Sequence, residues 1–458
     1  MNDYFEDLIG YYNEISFEEL NQEAVHQIKR CLLDFTGCGL VASQTESQSP
    51  FIHFLLELDN GQGDALLWGT NRYLSAPLAA FANSTTAATL ELDDATSIGA
   101  SVHPGVSVIP AAIAAAQRYG ATGKEFLKAV VFGYDVCNRM GLLATEKVRE
   151  LGLHGPGLLG GLAAVSAAGL LAKLTPDELH RAFSITASLS PLCPFINFID
   201  GCDVKNIYGG WSVYLAMLSL DMVRHGLTGS DRVLDGPKSL GSIFASEKGK
   251  DIPPSRHSYS TDVVFKDYSA CRSVHPALTA IAAIQKEETF TPDDICRVTI
   301  SAYPYAYDLS VMVSEINPIS ARLSLSYTAA VMLYEGCLDP AAFSKDAMNN
   351  ASYRLLMKKI TEERHEAYGS GPFGVRGSRV TILLRDGRVL EKEVCHAKWD
   401  KEVAPSDTEL MEKFTRLTKD LLSKQQQEQF AREIFRLEEL PTVEIFSRIF
   451  KNERQDVS

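Results

Sequence analysis

A chain of 458 residues exceeds one ordinary domain and fits roughly two or three. Its 45% apolar and 22% charged residues allow a large core. The net charge of −14, with no Lys/Arg-rich tract, excludes a nucleic-acid face, because backbone phosphates demand positive charge.

The acidic opening MNDYFEDLIGYYNE has no apolar run of the signal-peptide kind. Ser16 and Glu19 (SFEE) form a capping box ahead of Val25, Ile28, Leu32 and Phe35, so a helix is predicted there. Thr122 with Glu125 opens another, and Thr175-Pro176-Asp177-Glu178 a third, with Pro at the first helical position. The longest apolar run, Leu158 to Leu174, is short of the ~20 residues a bilayer needs and reads as a buried helix. Near Asp262 the pattern changes. Cys296 to Pro304 alternates, predicting a strand with Cys296, Val298, Ile300 and Ala302 on one face. Ser378 to Val394 is two β-rich runs joined by Asp386-Gly387, the signal of a type I′ hairpin. Between them SARLSLSYTAAVMLYEG predicts a helix stopped by glycine, and after Trp399 the pattern is helical again. The predicted fold is mainly α with an inserted α+β domain. Residues 1–262 and 399–458 form the helical domain, residues 263–398 form a lid, and Asp262 to Asp267 serves as the hinge. Nine scattered cysteines, without a Cys-x-x-Cys pair, fit reduced thiols in a cytosol, so a cytoplasmic location is expected.

Ionisable residues gather in a few Gly-punctuated stretches. ELDDATSIGASVHPG holds Glu91, Asp93, Asp94, Thr96 and His103; GLHGPG holds His154. DVKNIYGG holds Lys205 and Tyr208; FKDYSACRSVHP holds Lys266, Cys271, Arg272 and His275; AYPYAYD holds Tyr303, Tyr305 and Tyr307. Taken singly, each has a structural explanation: a turn histidine, a solvated carboxylate, a core tyrosine. Neither His-Glu-x-x-His nor a phosphate-cradling glycine loop accompanies them, so no metal and no cofactor are expected. What remains is a set of bases and acids suited to moving a proton on or off carbon. Lys205, Lys266 and Arg272 are candidates for holding substrate carboxylates.

The segments ELDDATSIGASVHPGVSVIPAAIAAA, LHGPGLLGGLAAVSAAGLLAKLTPDEL, DVKNIYGGWSVYLAMLSLDMVRHGLTG, FKDYSACRSVHPALTAI and ARLSLSYTAAVMLYEG, in this order, resemble the MmgE/PrpD family. That family includes 2-methylcitrate dehydratase, cis-aconitate decarboxylase and iminodisuccinate epimerase. The resemblance implies a helical domain built from both chain ends, an α+β lid, a homodimer, and a cleft for small polycarboxylates. It implies Glu91, Asp93, Thr96, His103, His154, Lys205, Lys266 and Cys271 as site residues. Together with the residue pattern, the expected catalytic residues are Glu91, Asp93, His103, His154, Lys205 and Lys266, and the expected substrate-binding residues are Thr96, Tyr208, Cys271, Arg272 and Tyr305. Tyr208 stands where many members have a histidine, and Trp211 where a small residue is common. The expected activity is a cofactor-independent lyase acting alpha to a carboxylate, with loss of water or CO₂. An epimerase using the same groups and a non-catalytic binding dimer are the alternatives, and the short loop from Asp94 to His103 points away from a strict 2-methylcitrate dehydratase.

Overall fold

Small residues decide how the helices meet. The computed structural model describes residues 2–45, 49–59, 63–99, 102–244, 258–368 and 376–451, so residues 100 and 101 of the acidic segment lie outside it. The helix Gly155–Leu171 is buried at every position except Leu170. A Cβ on its Gly161 would stand 2.9 Å from the Ser212 carbonyl, so only glycine lets the helix Val204–Arg224 approach this closely. The helices Pro104–Tyr119 and Gly123–Glu150 also pack on it. Among the described residues no helix is long and apolar enough to cross a membrane.

The fold is mainly helical, with a small mixed sheet in the C-terminal region. Buried apolar side chains from Phe5 to Phe265 and from Trp399 to Phe450 form one continuous core. Those from Tyr268 to Leu390 form a second. The returning helix Asp407–Thr418 lies on Gln22–Ala42, where buried Lys413 meets buried Asp34 at 2.6 Å. In the second core the strand Ile295–Ala302 has Ile360–Arg364 parallel on one side and Ser378–Leu384 antiparallel on the other. Val389–Val394 completes the sheet, and the helices His275–Glu287 and Leu325–Glu335 pack against it.

The capping boxes at Thr122 and Thr175 open the helices Gly123–Glu150 and Pro176–Leu189, and Gly336 at φ +69° ends Leu325–Glu335. Three local expectations are corrected. The Ser16–Glu19 box caps only the 3₁₀ turn Phe17–Glu19; the long helix starts after Asn21, whose side chain accepts from Glu23 N at 2.9 Å. Cys296 is exposed, because a register shift between Ile295 and Arg297 turns Ile295 inward in its place. The hairpin is not type I′. Positive φ falls on Gly387 (+90°) and not on Asp386, and Gly387 N donates to Leu384 O at 3.1 Å. That places glycine at the bulge position of a wider loop.

The chain crosses between the cores at Asp262–Asp267, and this segment is strapped down. Ala95–Thr96 pairs with Val263–Val264, and Ser97 N donates to Asp262 O at 2.9 Å. The strap carries Lys266 back to the acidic loop.

Candidate active site

The three carboxylates of the acidic loop face three different ways. Arg322 Nη1 donates to Leu90 O at 2.7 Å, and Ser269 Oγ donates to the same oxygen at 2.5 Å. Lys413 Nζ donates to Leu92 O at 3.0 Å. Between these tethers Glu91 sits at φ +49°, a left-handed conformation that side chains avoid and that costs of order 1–3 kcal/mol. The tethers hold it there. Its carboxylate then reaches Lys205 through one oxygen and Lys266, at 3.2 Å, through the other. Asp93 Oδ2 lies 2.6 Å from His103 Nδ1, and Asp93 Oδ1 lies 3.7 Å from Lys266. Asp94 turns away, accepting from Gly105 N at 2.8 Å and from Tyr134 OH at 2.7 Å. It thereby caps the buried helix Pro104–Tyr119, whose N-cap His103 makes no side-chain cap of its own.

Glu91, Asp93, Lys205 and Lys266 are all buried. Burial pushes a carboxylate pKa up, but Lys205 and Lys266 outweigh it and hold Glu91 well below the usual range. At Asp93 burial is likewise outweighed, by Lys266 and His103, and the carboxyl titrates low. Burial lowers Lys266, yet Asp93 and Glu91 more than offset this and raise it. The Glu91 and Asp93 carboxylates thus face the amino groups of Lys205 and Lys266.

Asp94 behaves oppositely. Burial raises its pKa to about 7, against ~4 unfolded. A raised acid stabilises the fold below its unfolded pKa and loses that contribution as pH climbs through the folded value. Asp94→Asn keeps an acceptor for Gly105 N and turns an amide toward the Tyr134 oxygen. We expect the variant to gain on the parent as pH rises from about 4 to about 7. Thermal melts across that window check it; a gap independent of pH counts against a titrating Asp94.

His103 and His154 are the N-caps of two buried helices. With Nδ1 bound to Asp93, His103 keeps Nε2 for a reacting group, and its ring lines the cavity. Burial and the neighbouring Lys205 push the His154 pKa down to about 3, so its imidazole is neutral at physiological pH. It packs against Phe195 and Tyr208 with ring centroids 6.1 and 5.7 Å away.

A cavity of about 380 Å³ opens beside these groups. Glu91, Thr96, His103, His154, Cys271, Arg272 and Tyr305 line it, so residues of both cores contribute walls. Lys205 lines a small adjoining recess with Asp93, and Lys266 lies behind, reaching neither space. Tyr208 does not line the main cavity: its hydroxyl donates to Pro194 O at 3.2 Å and accepts from Asn197 Nδ2 at 2.5 Å. Arg272 spends its fork on Thr96 O at 2.9 Å and Asp400 at 2.5 Å, so the expected bidentate grip on substrate is already occupied. The Thr96 hydroxyl is likewise spent, on Ile98 O at 2.8 Å. Arg149, Arg376, Tyr303 and the apolar Phe195, Phe198 and Leu309 also line the cavity. The sequence flagged Tyr303 but not the others, and Arg149 reads there as an ordinary basic residue in the last turn of a helix.

Among the described residues no three His, Cys, Asp or Glu side chains are placed to share a metal ion. The family model described as the MmgE/PrpD N-terminal domain matches residues 6–253. The one described as the MmgE/PrpD C-terminal domain matches residues 268–439, and the break between them falls at the crossing between the two cores. No curated protein matches the chain. Matched along nearly its whole length by both models, the chain belongs to the MmgE/PrpD family.

Proposed function

We propose that the chain is a cofactor-independent lyase acting on a small di- or tricarboxylate at the carbon alpha to a carboxylate, either removing a proton there as water is lost or releasing CO₂ and returning a proton to the carbon left behind. Family membership supports a dehydratase- or lyase-type enzyme. The observation that carries the finer reading is the His103–Asp93 pair, 2.6 Å apart, on the wall of a largely apolar cavity. In the loss of water His103 takes the proton from carbon and passes it to the departing hydroxyl; in the loss of CO₂ its imidazolium delivers a proton to the carbon. Asp93 fixes the ring tautomer and steadies the imidazolium that forms. Negative charge then develops on the substrate carboxylate, next to a preorganised cluster containing Lys205 and Lys266. Neutral His154, lining the same cavity, donates a hydrogen bond to the oxygen that gains charge or departs.

Epimerisation is the second reading, because it needs a base on each face of the reacting carbon and two imidazoles border this cavity. A histidine held at about 3 is a weak base, and this weighs toward the lyase. The working unit in this proposal is a homodimer in the cytoplasm, checked in solution by a species of twice the 50.3 kDa chain mass.

Incubation in D₂O with a panel of small di- and tricarboxylates tests the proposal. Deuterium is expected at a carbon alpha to a carboxylate, together with an unsaturated or decarboxylated product. Exchange without net elimination favours the epimerase, and no exchange with any member of the panel counts against both. Activity is expected to be unchanged in EDTA; loss restored by a divalent cation overturns the cofactor-independent part.

A further inference from the structure

The lysine cluster leaves a problem for substrate binding. Lys205 and Lys266 are already neutralised by Glu91 and Asp93, and neither lines the main cavity. A substrate carboxylate entering there finds a hydrogen-bonding neighbour but no uncompensated charge. Elsewhere on the wall the account differs. Arg272 is paired with Asp400 at 2.5 Å, and Asp308 with Arg364 at 3.0 Å. Arg149 and Arg376 line the same cavity, and among the described residues neither has a carboxylate within ion-pairing distance. The Arg149 guanidinium lies 4.0 Å from the Tyr305 ring centroid, and that stacking holds it at the cavity wall. Both arginines act on Tyr303 and Tyr305, opposing the rise that burial imposes on the two hydroxyls. All four side chains line the same cavity. Around them Phe195, Leu309 and Met312 lower the local dielectric, which strengthens any charge contact made there.

Resting on the carboxylate-acid reading above, we infer that Arg149 and Arg376, lining the cavity with Tyr303 and Tyr305, form the anion subsite that anchors the substrate's distal carboxylate. The lysine cluster then serves the reacting end alone. Guanidinium groups suit this task, since their fork matches a carboxylate and they stay protonated. The implied substrate class is an acid with at least two carboxylates joined by a short hydrocarbon spacer. A monocarboxylic acid can present its one carboxylate to the reacting end or to the arginines, but not to both.

Calorimetric titration with tricarballylate and with butanoate separates the outcomes. Arg149→Met and Arg376→Met are each expected to weaken tricarballylate binding roughly 10-fold or more, the size of one charge-assisted contact. Arg149→Lys should recover part of the loss, showing that charge and not only packing on Tyr305 is at stake. Butanoate, whose one carboxylate fills only one of the two ends, should bind the parent chain roughly 10-fold or more weakly than tricarballylate. Undiminished tricarballylate affinity in the double variant overturns the subsite. So does equal affinity of the parent chain for both acids, or no measurable tricarballylate binding to it. Arginine-dependent binding without any deuterium exchange keeps the subsite and sinks the lyase reading. Exchange with arginine-independent binding does the reverse.

Discussion

His103→Gln is expected to slow deuterium exchange and turnover by roughly 10²–10⁴-fold, the usual share of a positioned general base. Glutamine can still hydrogen-bond to Asp93, so the loop that positions the residue stays in place, but the amide accepts no proton. Substrate affinity should change little if the charged anchors lie elsewhere on the cavity wall. His154→Gln is the comparison that gives this meaning. With its pKa pushed to about 3 by burial and Lys205, His154 is already neutral, so a glutamine donor replaces much of what it offers. Its substitution should therefore cost less than that of His103. It should also leave the pH–rate profile between about 5 and 9 without the gain or loss of a step. If His154→Gln abolishes exchange while His103→Gln retains it, the roles are reversed and the Asp93 pairing is structural. Asp93→Asn probes the pair from the other side: it removes the charge that steadies the imidazolium, and it should lower kcat with little effect on KM.

What could be read from the sequence follows from how far each signal reaches along the chain. The boxes Thr122–Glu125 and Thr175–Glu178 and the glycine stop at Gly336 are complete within a few residues, and they appear where expected. Ser16–Glu19 also forms, yet three residues of 3₁₀ turn satisfy it, and Asn21 takes over as the cap of the long helix. Asp386-Gly387 marks the hairpin, but the turn type depends on which residue accepts positive φ, and Gly387 alone does so. The side chains of Glu91, Asp93, His103, His154, Lys205 and Lys266 come together from distant segments, a grouping that pattern within any one of them does not specify. What they do on arrival was less legible. Nothing local reveals that Glu91 is spent on two lysines, that Arg272 is spent on Asp400, or that the Tyr208 hydroxyl turns to Pro194. Arg149 looks like a helix-end basic residue until Tyr305, in the first turn of the helix Pro304–Met312, is folded against it. Residue type is local; charge compensation is tertiary.

Glu91→Gln is expected to destabilise the fold by about 3–5 kcal/mol, the range for removing one partner of a buried ion pair. The substitution keeps the volume and the same left-handed backbone cost at φ +49°, so the difference isolates charge. Without it, Lys266 keeps Asp93, 3.7 Å away and already bonded to His103, and Lys205 keeps the face of the Phe198 ring, 4.2 Å away. The effect has a defined pH window. Lys205 and Lys266 overcome burial and hold the Glu91 carboxyl well below its usual range. A depressed acid contributes stability above its unfolded pKa, ~4.3, and loses it as pH falls toward the folded value. The gap between parent and variant should therefore be full at neutral pH and narrow only below about 4. Adding Lys205→Met to Glu91→Gln removes one of the stranded charges, so the double variant should recover stability that the single variant lost. Urea denaturation of the parent, both single variants and the double at pH 7 and at about pH 3 completes the cycle. A neutral Glu91→Gln at pH 7, or strictly additive single effects, would show that the two lysines do not depend on this carboxylate. The strained loop would then be held by Arg322, Ser269 and Lys413 for some purpose other than placing Glu91 between them.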